Sequence, residues 1–276
     1  MFTITIRNGK LKQPETNRAI VCFFDTDTFK VIKEDILPKD LIDTDLYKPF
    51  GCCWYKGNLY IANADKLIRL DGKGNFIDYE TLDGFINPHQ ILITDHIKCF
   101  TNTGKDTIQL NSKTINIKEL EETTNDIELD DTHHVNSLCL SDNKIFFCLH
   151  NRGTKPSQYF YIDLDTQDVH HICNYGFTSH NCEIEGDLLY TLDTKGGNFA
   201  CINWKTKELM FEKNLVKREE HFLRGLQLIE NYFVVGASSD IGYAEVLLID
   251  RKTNEITSKY YIEGYNRILD IKSNPL

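Results

Sequence analysis

The chain is short of proline (6), methionine (2) and tryptophan (2), has no long apolar run, and carries fewer cations than anions, 31 Lys and Arg against 41 Asp and Glu. Each shortage closes a class of function. Without about 20 consecutive apolar residues the pattern offers no membrane-spanning helix, and the opening M-F-T-I-T-I-R-N-G-K alternates like a strand instead of forming the apolar stretch of a signal segment. A formal net charge of -10 works against nucleic acid, whose phosphates reward clustered Lys and Arg. The nine cysteines are odd in number and never spaced as C-x-x-C, which excludes complete disulfide pairing and argues against a thiolate metal knuckle. Cys22, Cys148 and Cys201 sit inside apolar runs and read as small buried hydrophobes in a reducing compartment, so a cytoplasmic location is expected. Phosphate loop, dinucleotide fingerprint, Ser-His-Asp order and H-E-x-x-H are all missing. The acidic stretch from Lys118 to Asp131 reads as a solvated loop without function.

What is present is repetition. An apolar strand ending in Asp or Asn, a polar turn often containing Thr, and a second strand occur six times: at Phe24 to Val31, Leu70 to Ile77, Leu110 to Ile117, Ile162 to Val169, Ile202 to Leu209 and Ile249 to Ile256. From Asp25 through Asp71, Asn111, Asp163 and Asn203 to Asp250 the steps are 46, 40, 52, 40 and 47 residues, the length of a four-stranded blade. An Asp or Asn side chain that accepts backbone N–H groups two and three residues on gives each turn a mechanism.

A second repeat precedes each hairpin from the second onward, an inner strand and turn beginning at Phe50, His89, His134, His180 and Phe222. Residues 266-272 read as an inner strand with nothing after it, and residues 2-36 as three strands with none before them. The expected fold is therefore all-β, a six-bladed β-propeller closed by N-terminal strands joining the C-terminal inner strand. It forms a single domain with blades at 49-82, 87-120, 132-175, 179-213, 221-262, and 264-276 with 2-36. Short helical turns have room at 40-48 and 213-220.

Inner strands of a propeller line its central channel, so residues at their starts converge on one funnel. Counted back from the following turn, His89 and His180 fall at equivalent places, with His134 slightly earlier. Period-two alternation puts Asn136 with His134 and Cys182 with His180. The ends of the second strands add Asn63, Asn102, His150, Asn151, Asp193 and Ser238 to the rim. Three imidazoles near an axis suit Zn, Fe, Mn or Cu; the alternatives are a metal-free polar site, or histidines bonded only to backbone and water. Arg224, in Phe222-Leu223-Arg224-Gly225-Leu226, presents a guanidinium fork to a carboxylate or phosphate, or else pairs with an acid such as Glu183 or Asp193. Arg267 and Asp270 invite the same two readings. His221 falls on the opposite strand face from Arg224, and Arg224 is the preferred site residue. His96, His133, His170 and His171 read as surface residues.

At these residues the chain resembles a bacterial β-propeller family of unknown function. His134-Val135-Asn136-Ser137-Leu138 is similar to its H-x-N-G-L segment, Ser179-His180 through Tyr190 to a P-H segment with a following turn, and Phe222 to Leu226 to F-L-R-G-L. Ile262-Glu263-Gly264 with Arg267, and His89, follow the same order. Ser137 stands in place of Gly and Ser179 in place of Pro. The resemblance implies site positions at His89, His134, Asn136, His180 and Arg224, and no chemistry.

The expected function is a metal-dependent enzyme (lyase, hydrolase or oxygenase) on a small anionic substrate. A divalent transition metal would lie on His89, His134 and His180, with Asn136 and Arg224 catalytic and Asn63, Asn102, Asn151, Asp193 and Arg267 on the substrate rim. The alternative from another class is a non-catalytic binding module for a protein or glycan partner. Neither membrane nor nucleic acid is an expected partner.

Overall fold

Most turns of the repeated hairpin fold as their side chains dictate. Asp163 Oδ1 accepts the N–H groups of Asp165 (3.0 Å) and Thr166 (3.3 Å), and Asn203 Oδ1 those of Lys205 (3.0 Å) and Thr206 (2.9 Å). Asp250 Oδ1 repeats this with Lys252 and Thr253, and Asp71 with Lys73 and Asn75. Asn111 departs from the pattern, because its hairpin reverses over only two residues. Its Oδ1 instead accepts Lys98 N–H (2.8 Å), tying the turn to the preceding strand.

A computed structural model describes residues 2–7, 19–25, 28, 31–35, 49–63, 65–120, 131–217, 220–239 and 242–274. The expectations for 40–48 and for all but the ends of the acidic stretch lie outside these residues. The strands follow in chain order. First come β1 (Phe2–Arg7), β2 (Ala19–Phe24) and β3 (Val31–Asp35), then β4 (Pro49–Tyr55), β5 (Asn58–Asn63), β6 (Lys66–Leu70) and β7 (Phe76–Thr81). Next are β8 (Pro88–Ile93), β9 (Lys98–Asn102), β10 (Thr107–Leu110) and β11 (Lys113–Asn116), followed by β12 (Val135–Ser141), β13 (Lys144–Leu149), β14 (Gln158–Asp163) and β15 (Val169–Asn174). The last nine are β16 (His180–Glu185), β17 (Leu188–Asp193), β18 (Asn198–Asn203), β19 (Glu208–Asn214), β20 (His221–Leu228), β21 (Tyr232–Ser239), β22 (Tyr243–Asp250), β23 (Ile256–Glu263) and β24 (Arg267–Ser273).

They form six antiparallel four-stranded sheets, five in simple sequence order and one ordered β24-β1-β2-β3. The fold class is a six-bladed β-propeller. The C-terminal strand does complete the N-terminal blade: Ile4 pairs with Ile271 and Thr5 with Asp270. Closure of this kind satisfies backbone groups that a free edge would leave open to another chain. Between β19 and β20, Lys217 O accepts the N–H groups of Glu220 and His221 (both 3.0 Å), a single turn in the 213-220 segment.

The contacts divide the chain into two compact units, residues 1–84 with 216–276, and residues 85–215. In the first, Ile4, Cys22, Val234, Val246, Ile268 and Ile271 make one core and Val21, Phe23, Cys52, Trp54 and Ile68 another. Asp270 Oδ2 accepts Cys52 N–H (3.1 Å), and Trp54 Nε1–H donates to Thr3 Oγ1 (3.1 Å), so these buried polar groups are bonded. In the second unit, Val135, Leu138, Phe147 and Phe160 pack with Ile108 and Ile115, while Cys148, Tyr159, Cys182, Leu189 and Ile202 fill a further core. Each such apolar side chain contributes about 1.5–3 kcal/mol by leaving water.

Candidate functional site

All six inner strands carry a register shift near their start: between Pro49 and Cys52, Pro88 and Ile91, Asn136 and Leu138, His180 and Cys182, Leu223 and Leu226, and Ile268 and Asp270. On β12, β16 and β20 the inserted residue is Ser137, Asn181 or Gly225, with φ of 65°, 58° and 81°. Such a bulge re-aims the neighbouring side chain. The residue just before it is Asn136, His180 or Arg224. His89 holds the matching place on β8, where the Thr101 hydroxyl accepts the N–H groups of both His89 (3.2 Å) and Gln90 (2.9 Å).

The bulges make the place of His134, earlier than its counterparts, specific, and they overturn one expectation. The counterpart of His180 on β12 is Asn136, and His134 lies two residues earlier, just before the strand. Strict alternation fails across Asn181: Cys182 is buried in the apolar core while His180 faces the His150 ring.

In the second unit four rings follow one another. Centroids lie 4.6 Å apart for His89 and His134, 4.7 Å for His134 and His150, and 4.9 Å for His150 and His180. All meet at steep angles, between 56° and 78°. The sequence places His150 on the rim, at the end of β13, without revealing that it stands between His134 and His180.

The hydrogen bonds assign the ring protons. Asp131 Oδ1 lies 2.6 Å from His134 Nδ1, and Asp131 is held in turn by Arg152 through its guanidinium and by Arg152 Nε–H donating to the Asp131 carbonyl (3.1 Å). A carboxylate only accepts, so Nδ1 of His134 carries a proton. His180 has the same form, with Nδ1 2.8 Å from both the Thr178 carbonyl and Thr194 Oγ1. His150 is reversed: its Nδ1 accepts Arg152 N–H (3.1 Å), which places the proton of the neutral ring on Nε2.

Asp106 sets the approach to β12. Its Oδ2 accepts His133 N–H (2.9 Å) and faces His133 Nδ1 (3.3 Å), and its Oδ1 accepts His134 N–H (2.8 Å). Burial by itself raises the Asp106 carboxyl, but the His133 imidazole and the two backbone donors outweigh it and hold the group below the ordinary carboxylate range. His133 is therefore buried and bonded, correcting the expectation of a surface residue. His96, His170 and His171 are exposed.

Most of the other candidates hold loops. Asn102 Oδ1 accepts Ile86 N–H (2.7 Å) and Asp193 Oδ1 accepts Phe177 N–H (2.8 Å), each pinning the segment that enters its own blade's inner strand. Asn151 Nδ2 donates to Pro156 O (2.8 Å) and Gln158 Oε1 (3.1 Å). Asn136 donates to Ser179 O (3.4 Å) and accepts from Ser137 Oγ (2.9 Å), joining β12 to the start of β16. Asn63 is buried at the end of β5. Arg224 and Arg267 belong to the first unit, on β20 and β24, where both guanidiniums lie over the Phe222 ring. His221 is buried on β20 with Nε2 3.6 Å from Glu245 Oε1.

Among the described residues no group of three or more His, Cys, Asp or Glu is arranged to hold a metal ion. The donor chemistry suits a metal at two rings, His134 and His180, whose Nδ1 atoms have the outer oxygen partners that metal-ligating imidazoles carry. At His150 the Arg152 N–H opposes it.

No protein-family profile matches the chain, and no curated protein does. Solved structures do: a chain in the crystal structure of a nidogen/laminin complex is similar over 98% of this chain and 97% of its own, with TM-score 0.68 and 10% identity. The Pan2 WD40 domain of Neurospora crassa is similar over 77% of this chain and 65% of its own, with TM-score 0.54 and 11% identity. The computationally designed Ika8 protein reaches TM-score 0.52 over 95% of this chain and 89% of its own, at 10% identity. At such identities the likeness is one of fold.

Proposed function

We propose that the four imidazoles of the second unit form a binding and proton-transfer site for a small molecule bearing hydroxyl or carboxylate oxygens. The observation that supports this is the mixed proton assignment along the run. His134 and His180 carry a proton on Nδ1, and the neutral ring of His150 between them carries its proton on Nε2. A hydroxylated anion needs both kinds of partner, and the same pairing is what general acid–base chemistry uses. His134 is the base of choice, because the Asp131 carboxylate orients it and stabilises the imidazolium formed when it takes a proton. His150 is the acid. Lyase or hydrolase chemistry on a small anion follows from that pairing.

A second reading places a divalent transition metal on His89, His134 and His180. The oxygen partners of His134 and His180 favour it. Among the described residues these side chains are not arranged as a three-imidazole centre.

One experiment separates the readings. Tag-free protein is analysed for Zn, Fe, Mn and Cu, and thermal unfolding is followed with added L-malate and, separately, with added zinc. Saturable stabilisation by malate, lost in His134→Gln and in His150→Gln, is the expected result. Stoichiometric metal that disappears from the His89, His134, His180 triple alanine variant supports the metal instead. Malate stabilisation unchanged by the histidine substitutions, or no stabilisation at all, ends the acid–base reading.

A further inference from the structure

We infer that β7, in the first unit, is a docking edge for an extended segment of another protein in which Lys or Arg alternates with apolar residues. It is the outermost strand of the sheet ordered β4-β5-β6-β7, and all six of its residues are exposed. The outer strands β11, β15 and β23 each bury an isoleucine, Ile115, Ile172 and Ile262 in turn. β7 instead leaves Phe76, Ile77 and Tyr79 in solvent, at 42%, 43% and 47% exposure.

The ladder shows which backbone groups are open. Thr81 faces Lys66 and Glu80 faces Leu67, and one step further Leu82 N–H donates to the Asp65 carbonyl (2.6 Å). Hydrogen-bonded and non-hydrogen-bonded pairs alternate along an antiparallel ladder. Glu80 therefore bonds to β6 as Leu82 bonds to Asp65, while Tyr79 and Thr81 turn their N–H and C=O groups outward. Such an edge is a template for one more strand.

Charge decides what that strand carries. The cations of this part of the sheet lie on β6, where Arg69 holds Asp78 through Nε (2.9 Å) and its second guanidinium nitrogen, and Lys66 holds Asp65 (2.8 Å). β7 itself carries only acids, Asp78 and Glu80, with Asp83 just beyond its end. A second copy of β7 is a poor occupant. If Tyr79 pairs antiparallel with Ile77, Tyr79 or Thr81 of that copy, the carboxylates set opposite each other are Asp78 with Asp78, Asp78 with Glu80, or Glu80 with Glu80. Like charges directly opposite are destabilising. A strand with Lys or Arg at those places repeats on the open side what Arg69 does for Asp78 from β6, and its alternate apolar residues cover Tyr79.

This edge is independent of the imidazole run, and its test is separate. The full chain is titrated with two end-blocked peptides, Lys-Val-Lys-Val-Lys-Val and Glu-Val-Glu-Val-Glu-Val, followed by fluorescence anisotropy and by amide hydrogen exchange. The expected result is saturable binding of the basic peptide, about tenfold or more tighter than the acidic one. Exchange at the Tyr79 and Thr81 amides should slow by about tenfold or more at saturation. Glu80→Lys should weaken the basic peptide by about fivefold or more. Thr81→Pro, which removes an outward N–H at an edge position where proline is tolerated, should abolish binding. Circular dichroism checks folding; should the proline variant unfold, Glu80→Lys and the exchange at residues 79 and 81 decide. Failure of the basic peptide to bind, equal binding of the acidic one, or binding that Thr81→Pro leaves unchanged would each overturn the inference. So would self-association of the wild-type chain that Thr81→Pro abolishes, which assigns the edge to a second copy.

Discussion

Asp131 Oδ1 stands 2.6 Å from Nδ1 of His134, three residues along the chain, and Asp131 itself is gripped by Arg152. Because Arg152 N–H also donates to His150 Nδ1, one residue sets the proton positions of two neighbouring rings, in opposite senses. Asp131 lies at the edge of an acidic stretch whose remainder gives no hint of this role.

Replacing Asp131 should therefore act on the tautomer. In wild-type protein, nitrogen-15 spectra of the histidine side chains at neutral pH should show His134 protonated at Nδ1 and His150 at Nε2. In Asp131→Asn the preference at His134 should weaken, and binding at the imidazole run should fall by about 10–100-fold, the range seen when an outer partner of a functional imidazole is lost. An unchanged His134 spectrum would show that the carboxylate is not what orients the ring.

Asp106 should carry a pH signature. Its carboxyl is lowered in the folded chain, so the stability it contributes is complete above the ordinary carboxylate pKa and is lost as pH falls through the folded value. Asp106→Asn should cost about 2 kcal/mol at pH 7, as expected for hydrogen bonds to a buried charge. The variant should also lose less stability than wild type between pH 5 and pH 3 (roughly one unit either side of a free carboxylate). Urea unfolding across that interval measures both effects.

Gly225→Ala should destabilise the first unit by roughly 3 kcal/mol, combining a left-handed backbone with an overpacked contact against Ile271. Gly186 also has positive φ (56°), but a Cβ there meets nothing within 4 Å. Gly186→Ala should cost only the backbone share, about 1–2 kcal/mol. Urea midpoints of the two variants separate strain from crowding, and equal losses would show that the Ile271 contact yields.

The thiols should be slow. Burial pushes Cys173 and Cys201 to about 11 and raises Cys52, Cys99 and Cys148 further. At pH 7.4 little thiolate is present, and thiolate is the reacting form. Ellman's reagent should modify native protein slowly and all nine cysteines at once in denaturant. Rapid reaction of several thiols in native protein would mean that the blades open locally.

The sequence by itself determined the blades. A repeat of about 40–50 residues, with an Asp or Asn turn in each hairpin, is a local signal, because the side chain that closes most of these turns sits only a few residues from the donors it binds. The Asp163, Asn203 and Asp250 turns follow from that rule directly. Pairing of the last strand with the first was legible too, since an inner strand with nothing after it and three strands with nothing before them complete each other.

The site was legible only in outline. His89, Asn136, His180 and Arg224 share one register position, and the sequence singles out all four, but simple alternation puts Cys182 with His180 because an inserted bulge residue does not announce itself when Asn181 occupies a place that glycine usually takes. It misses His150 as a neighbour of His180, and it misreads His133. Those facts depend on contacts between residues far apart in the chain, such as Asp106 with His133, whose partners no local pattern names. Strand registers and ring protons were decided by the tertiary structure, because each is set by which donor happens to face which acceptor once the blades have packed.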